Sequence, residues 1–188
     1  MADETPSQTS IPLLLRPAEE QHLPAINAIY NEQILHGTAT WENEPWSDQR
    51  RREWFAEHDE RYPVFVAVEP DASDGAIAGF GYLSAYRPRI GYRFTREDSV
   101  YVHPDHRGRG AGRLLLGALI EAARRLGIHV VYAVIESDNA ASIELHRTLG
   151  FEQNGFRREA GFKFGRWLSS VEMEIVLPRP LPAPDEGL

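Results

Sequence analysis

The sequence predicts an α/β domain, a mixed central β-sheet flanked by α-helices. Three observations carry this reading. Short apolar runs of strand type alternate with segments of helical period. Their order is β-α-α-β-β-β-α-β-α-β-β, which mixes hairpins with crossovers. The chain has 188 residues, 42% of them hydrophobic and 26% charged, enough for one domain with its own core.

Each element has a local signal. "LLLRPA" reads as the first strand. The segment "EEQHLPAINAIYNEQIL" has helical spacing through Leu23, Ile26, Ile29, Tyr30 and Ile34, and Pro24 falls in the first turn, where a missing N–H is tolerated. A second helix, "SDQRRREWFAEH", is capped by Ser47 or Asp48. "YPVFVAVE" and "GAIAGFGYLSAY" are strands, and the turn chemistry of "PDASDG" makes them a hairpin. "DSVYVHP" is a short strand halted by Pro104. A helix from Gly110 to Leu126 puts Leu115, Leu119, Ala122 and Leu126 on one face and stops at Gly127. "IHVVYAVIES" reads as a long buried strand, and "NAASIELHRTLGF" as a short helix ended by Gly150. The remainder to Leu177 supplies one or two closing strands. Residues 1–12 are polar and expected to be disordered, residues 13–177 form the domain, and 178–188 are a proline-rich tail.

Composition narrows the function. A formal net charge of −8 argues against a nucleic-acid binder, which needs a basic footprint. No apolar run approaches the roughly 18 residues of a membrane span. The start "MADETPSQTS" lacks the basic and apolar regions of a secretory signal, so the expected compartment is the cytoplasm. Cysteine is absent, which removes disulfides, thiolate metal sites and a cysteine-linked acyl intermediate. The seven histidines show no metal-ligand spacing, so no metal is expected.

The most informative stretch is "HRGRGAGRLLLGAL", where Gly108, Gly110 and Gly112 meet three arginines at a strand-to-helix seam. A helix start presents unpaired N–H groups and a partial positive charge. Glycine strips away side chains there, so an anion can reach those amides. Arg107, Arg109 and Arg113 add charge. The seam reads as a phosphate cradle, or as a glycine-rich turn with solvated arginines. It is not a P-loop, since no Gly-Lys-Ser/Thr follows, and the spacing of Gly108, Gly110 and Gly112 is not that of a dinucleotide fingerprint.

Arg107-Gly108-Arg109-Gly110-Ala111-Gly112 resembles the Arg/Gln-x-x-Gly-x-Gly/Ala signature of the GCN5-related N-acetyltransferases (GNAT). "NAASIELHRTLGF" resembles that family's next helix, from Asn139 to Gly150-Phe151. The resemblance covers Leu13 to Leu177 and implies the GNAT fold, with acetyl-CoA as acetyl donor. "RPAEEQHLPAINAIYNEQI", "TATWENEP", "TREDSVYV", "IESDNAASIELHRTLGF" and "GFKFGRW" are similar to the phosphinothricin and methionine sulfoximine acetyltransferase subfamily, which acetylates the α-amino group of small amino acid analogues. That resemblance implies a small amino acid acceptor and a homodimer.

It also implies roles for individual residues. The diphosphate of acetyl-CoA falls to Arg107, Gly108, Arg109, Gly110, Ala111, Gly112 and Arg113. Val100, Tyr101 and Val102 contact the pantetheine arm through backbone groups, with the Val102 N–H polarising the thioester. Glu97, just before the strand "DSVYV", matches the subfamily's Thr-x-Glu position and is the expected general base; the alternative is a solvated carboxylate beside Asp98. His146 stands where the wider family has tyrosine. It is either an acid for the leaving thiolate, a helper of the base, or a packed helix histidine. Asn139 caps its helix and bonds the pantetheine amides, and Thr148 is a further cofactor contact. The loop "YRPRIGYRF", with Arg87, Arg89, Gly91, Tyr92 and Arg93, receives the acceptor's acidic groups. Trp41 walls the acceptor pocket or belongs to the core. Two rivals stand beside this reading: a GNAT enzyme acting on another amine, and a non-catalytic acyl-CoA sensor.

Overall fold

A computed structural model describes residues 12–70 and 76–178. Seven strands and four helices alternate along the chain: β1 (Leu14–Pro17), α1 (Leu23–His36), α2 (Asp48–Ala56), β2 (Val64–Val68), β3 (Gly79–Ala85), β4 (Thr95–Val102), α3 (Ala111–Arg125), β5 (Val130–Glu136), α4 (Ala140–Thr148), β6 (Glu152–Lys163) and β7 (Arg166–Val176). The strands form one mixed sheet in the order β1-β2-β3-β4-β5-β7-β6. Only the β4–β5 pair is parallel. Of the one or two closing strands expected before Leu177, two are present. The β2–β3 hairpin pairs as expected, although its turn at 71–75, the first segment to 11 and the tail from 179 lie outside the described residues. Among the described residues no helix is long and apolar enough to cross a membrane.

Strand alternation divides the core into two layers. On one face, Leu23, Ile26, Ile29 and Ile34 of α1 pack on Val66, Val68, Phe80 and Tyr101. On the other, Leu116, Leu119, Ile120 and Ala123 of α3 pack on Leu83, Val131, Ala133, Val171 and Met173. The helix faces match the spacing in the sequence. Leu115, Leu119 and Ala122 are buried, and Leu126 packs at the edge of the core. Ser47 rather than Asp48 caps α2, its side chain accepting from the Arg50 N–H at 3.2 Å. This polar helix is anchored by Arg51, whose buried guanidinium lies 4.4–4.6 Å from the rings of Tyr30, Trp46 and Trp54.

Two expectations need correction. β4 begins at Thr95, so Glu97 lies inside the strand, not ahead of it. Charged residues at 96 and 97 read as loop, but the Arg96 guanidinium donates to the carbonyls of Arg61, Arg93 and Thr95 and stacks 4.7 Å from Tyr62. Those contacts let the ladder with β3 run on through Ala85↔Arg96. β5 is not buried throughout either: Val134 is 46% exposed because it faces an open cleft.

Candidate active site

β4 and β5 start together and then part. Their pairing covers only Thr95↔Val130, Arg96↔Val131 and Glu97↔Tyr132, while β4 runs on to Val102 and β5 to Glu136. Past Glu97 the facing edges have no ladder, so backbone groups of both strands are left for another partner. A cleft of about 290 Å³ occupies the gap. Asp98 to Tyr101 line one wall, Ala133 to Glu136 the other, and Asn139, Ser142 and His146 of the α4 region close one end.

The glycine seam lies where β4 gives way to α3. Gly108 and Gly110 have φ of +74° and +86°, a left-handed conformation that L side chains avoid. A Cβ at either would meet nothing within 4 Å, so the space above them is open to a ligand. The α3 ladder begins with the Leu114 N–H donating to the Gly110 carbonyl. The amides of Ala111, Gly112 and Arg113 precede that bond and have no carbonyl one turn back. These features fit a diphosphate. Gly112 has a second role: a Cβ there would sit 3.0 Å from Leu145, so it lets α3 approach α4. The arginines differ from one another. Arg109 pairs with Glu69 at 2.6 Å, Arg113 reaches Thr148 at 3.5 Å, and Arg107 lines a polar hollow beside Asn139. Thr148 itself donates to the Leu145 carbonyl at 2.8 Å, and Asn139 caps α4 by accepting from the Ser142 N–H at 3.1 Å.

Glu97 and Asp98 are neighbours on β4 and point to opposite faces. Glu97 shares the α1 face with Tyr132 and Glu172, in a cavity that also includes Trp41, Tyr86, Arg87 and Arg157. Burial pushes the Glu97 carboxyl up to about 7, and the negative charges of Asp98 and Glu172 push in the same direction. Such a carboxyl accepts a proton near neutral pH. Glu172 accepts from the Tyr132 hydroxyl at 2.5 Å and pairs with Arg157. Trp41 lines both this cavity and the cleft. It seats on Gly161, where a Cβ would collide with the indole, and Lys163 holds its loop by donating to the carbonyls of Gln33, Gly37 and Thr40 at 2.8–3.0 Å.

On the α3 face the Asp98 side chain meets His146. Nε2 of His146 lies 3.0 Å from Asp98 Oδ2, and Nδ1 lies 2.7 Å from the Ser142 carbonyl oxygen. Both side chains are buried, at 4% and 1% exposure. Burial works against a charged imidazole, but the Asp98 hydrogen bond and charge and the Ser142 carbonyl outweigh it, so the His146 pKa is raised.

The structure thus brings Trp41, Glu97, Val100, Tyr101, Asn139 and His146 to one cleft. Tyr101 offers only its backbone there, because its ring stacks on Phe80 in the core. Val102 packs beneath the α3 start. Arg87 lines the Glu97 cavity, its guanidinium 4.8 Å from the Tyr86 ring. Tyr92 adjoins that cavity through Tyr86, at 5.3 Å between rings, and through Arg87, whose guanidinium lies 5.6 Å from its ring. Arg89 and Gly91 lie on an exposed turn outside both cavities. Asp98, Tyr132, Arg157 and Glu172 were missed as site residues. Alternation along "TREDSVYV" carried a signal for Asp98, since one of two adjacent acidic residues had to face the core. Arg157 and Glu172 carried none, because the β6–β7 register alone brings them in. Among the described residues no three His, Asp or Glu side chains gather as a metal site.

Comparison with known proteins agrees with this geometry. The sequence model of the Acetyltransferase (GNAT) family matches residues 26–151. The chain is 46% identical over 171 residues to the L-methionine sulfoximine/L-methionine sulfone acetyltransferase of Pseudomonas paraeruginosa, covering 90% of this chain and 98% of that protein. It is 43% identical over 178 residues to the phosphinothricin N-acetyltransferase of Alcaligenes faecalis, covering 93% and 85%. An acetyltransferase of Salmonella typhimurium, solved with its cofactor acetyl-CoA, superposes with a TM-score of 0.86 at 41% identity, covering 93% of this chain and 99% of that one. A glycine cradle at a helix start, a parted strand pair and a raised carboxyl at its mouth therefore sit in a chain that belongs to the GCN5-related N-acetyltransferase (GNAT) family.

Proposed function

We propose that the protein transfers the acetyl group of acetyl-CoA to the α-amino group of a small amino acid analogue, of the phosphinothricin or methionine sulfoximine/sulfone kind. Transfer is by direct attack with both substrates bound. The observation that carries the reading is Glu97, an elevated carboxyl at the point where β4 and β5 separate. The names of the relatives, and the acetyl-CoA in the Salmonella structure, support the same donor and acceptor class.

In this reading the amides of 108–113 take the diphosphate, with Arg107 and Arg113 adding charge. Arg109 contributes its backbone, because its guanidinium is engaged by Glu69. The free edge of β4 at Val100 to Val102 takes the pantetheine amides and polarises the thioester carbonyl. Asn139 and Thr148 flank the arm. Glu97 removes a proton from the acceptor ammonium, directly or through water. Arg87 receives the acceptor's acidic group, Trp41 covers it, and Arg89, Gly91 and Tyr92 form the outer rim. A second copy of the chain covers the β6–β7 hairpin, whose Phe156, Phe162, Phe164 and Trp167 are 53–61% exposed.

One assay tests the reading: thiol release from acetyl-CoA with phosphinothricin, methionine sulfoximine, methionine sulfone, the standard amino acids, polyamines and aminoglycosides. Turnover concentrated on the first three is the expected result. Turnover confined to cationic amines reassigns the acceptor. Acetyl-CoA binding without turnover on any amine makes the protein a sensor.

A further inference from the structure

We propose that Gly161 and Lys163 of β6 are positioning residues for the acceptor amino acid: they fix the loop after α1 so that the Trp41 indole stands at the boundary between the cleft and the Glu97 cavity. The proposal rests on the acetyltransferase reading above and deepens its acceptor site.

Trp41 holds a particular place. With Glu97 and Val134 it lines both the cleft where β4 and β5 part and the cavity that contains Arg87 and Glu172. With the thioester in the first and the amino acid in the second, the indole borders the point where they meet. Yet Trp41 lies in the irregular segment between α1 and α2, where no ladder fixes the backbone.

The edge strand β6 supplies the missing anchors. Lys163 is 2% exposed, and its Nζ donates to the carbonyls of Gln33, Gly37 and Thr40 at 3.0, 2.8 and 2.8 Å. Those carbonyls belong to the last turn of α1, to its C-cap and to the peptide that leads into Trp41. Placing an amine where water is excluded costs free energy that an apolar side chain of similar length avoids. What the amine adds is one point to which three separate carbonyls are tied. Two residues earlier, on the same face of β6, Gly161 leaves the strand bare, and the indole occupies the space a Cβ would take. On the far side Thr38 donates to Glu136 at 3.2 Å and ties the segment to β5.

β6 is bent to reach this loop. Between Arg157↔Ser170 and Gly161↔Leu168, four steps along β6 match two along β7. Inside this bulge Glu159 has a φ of +51°, a left-handed conformation that a non-glycine residue adopts at a cost. A bulge re-aims the side chains beside it. Here Arg157 and Ala160 line the Glu97 cavity, and Gly161 meets the indole. Bulge, bare backbone and buried amine converge on one loop and one aromatic ring.

The test follows the indole and the rate together, with methionine sulfone as the probe. Enzyme labelled with 5-fluorotryptophan gives one 19F line for each of Trp41, Trp46, Trp54 and Trp167, and Trp41→Phe identifies the first. In the wild type the Trp41 line is expected to shift when methionine sulfone is added. Lys163→Met is expected to move or broaden that line in the free enzyme and to raise the methionine sulfone KM by about 10- to 100-fold. The acetyl-CoA KM changes far less, because the glycine seam is untouched. Gly161→Ala is expected to act in the same direction, and it keeps the test open if Lys163→Met does not fold. A merely structural Lys163 would lower the melting temperature of its variant and nothing else. A folded Lys163→Met or Gly161→Ala enzyme with the Trp41 line and the acceptor KM unchanged therefore overturns the proposal. So does a wild-type Trp41 line that saturating methionine sulfone leaves in place while the enzyme acetylates it, a result that needs no variant. An enzyme that acetylates none of the amino acid analogues overturns the acceptor reading and the proposal together, a result distinct from an unmoved indole in an active enzyme.

Discussion

The two faces of β4 put neighbouring carboxylates into opposite circumstances. Glu97 faces the cavity it shares with Tyr132 and Glu172, half-buried, where burial and then the charges of Asp98 and Glu172 raise its pKa. Asp98 faces α4, more deeply buried, and meets an imidazole at 3.0 Å. Burial raises the cost of charge at both. Asp98 has an imidazole partner that can share a proton; Glu97 has none in its hydrogen-bonding reach, and its carboxyl is pushed toward the protonated form. One strand therefore holds a raised carboxyl and a carboxyl hydrogen-bonded to an imidazole one residue apart, because successive side chains leave a strand on opposite sides.

The largest effect expected is on the Glu97 face. Glu97→Gln keeps shape and hydrogen bonding but cannot take a proton, so kcat falls by about 10²–10⁴-fold. The residual rate climbs with pH as free amine accumulates. In the wild type, kcat/KM rises with pH through about 7, because the base works only when ionised. Rate measurements from pH 5 to 9 on both enzymes check this, and a normal rate and profile in the variant would remove Glu97 from the chemistry.

The two carboxylates are also expected to affect stability with opposite signs. The Glu97 pKa is raised from 4.5 to about 7, so the folded state holds a proton that the unfolded state has lost between those values. The cost of ionising Glu97 is absent below about 4.5 and complete above about 7. Glu97→Gln should then be more stable than wild type by about 1–3 kcal/mol at pH 8, and equal to it at pH 4. Asp98→Ala leaves the buried His146 ring without a hydrogen-bond partner at Nε2 and should cost about 1–3 kcal/mol. Urea unfolding at the two pH values separates these outcomes.

Arg87 sharpens the comparison on the acceptor side. It lines the Glu97 cavity, whereas Arg89 does not. Arg87→Ala should raise the acceptor KM by roughly 10- to 100-fold, the loss of a charge-assisted pair, and leave the acetyl-CoA KM unchanged. Arg89→Ala should change both much less. Equal effects of the two substitutions would move the acceptor's acidic group to the rim.

The smallest expected effect is indirect. Glu172→Gln removes one of the charges that hold Glu97 high, so the acidic limb of kcat/KM moves to lower pH. The Asp98–His146 side should not respond, since Glu172 lies on the other face. An acidic limb that does not move would remove Glu172 from the charges that act on Glu97.

The sequence by itself determined the class of fold and the exposed helix start at the glycine seam. Leu115, Leu119 and Ala122 had to pack one side of a helix, and short apolar runs had to pair, because periodicity is a property of neighbours along the chain. The cradle at Gly108 and Gly110 was legible for the same reason: a helix start and the glycines that expose it are adjacent in sequence. Glu97 was legible through the motif around it, although its place inside β4 was not, because the contacts that let Arg96 enter a strand come from Arg61 and Tyr62 far up the chain. Only the tertiary structure decided where β4 leaves β5, since the gap depends on where pairing stops. It alone seated Trp41 on Gly161, 120 positions away. It alone joined Asp98 to His146 across 48 positions. Charge state follows from such partners. A carboxylate beside an imidazole and one beside another carboxylate look alike in sequence, and they differ in the fold because Coulomb interactions depend on distance in space, not along the chain.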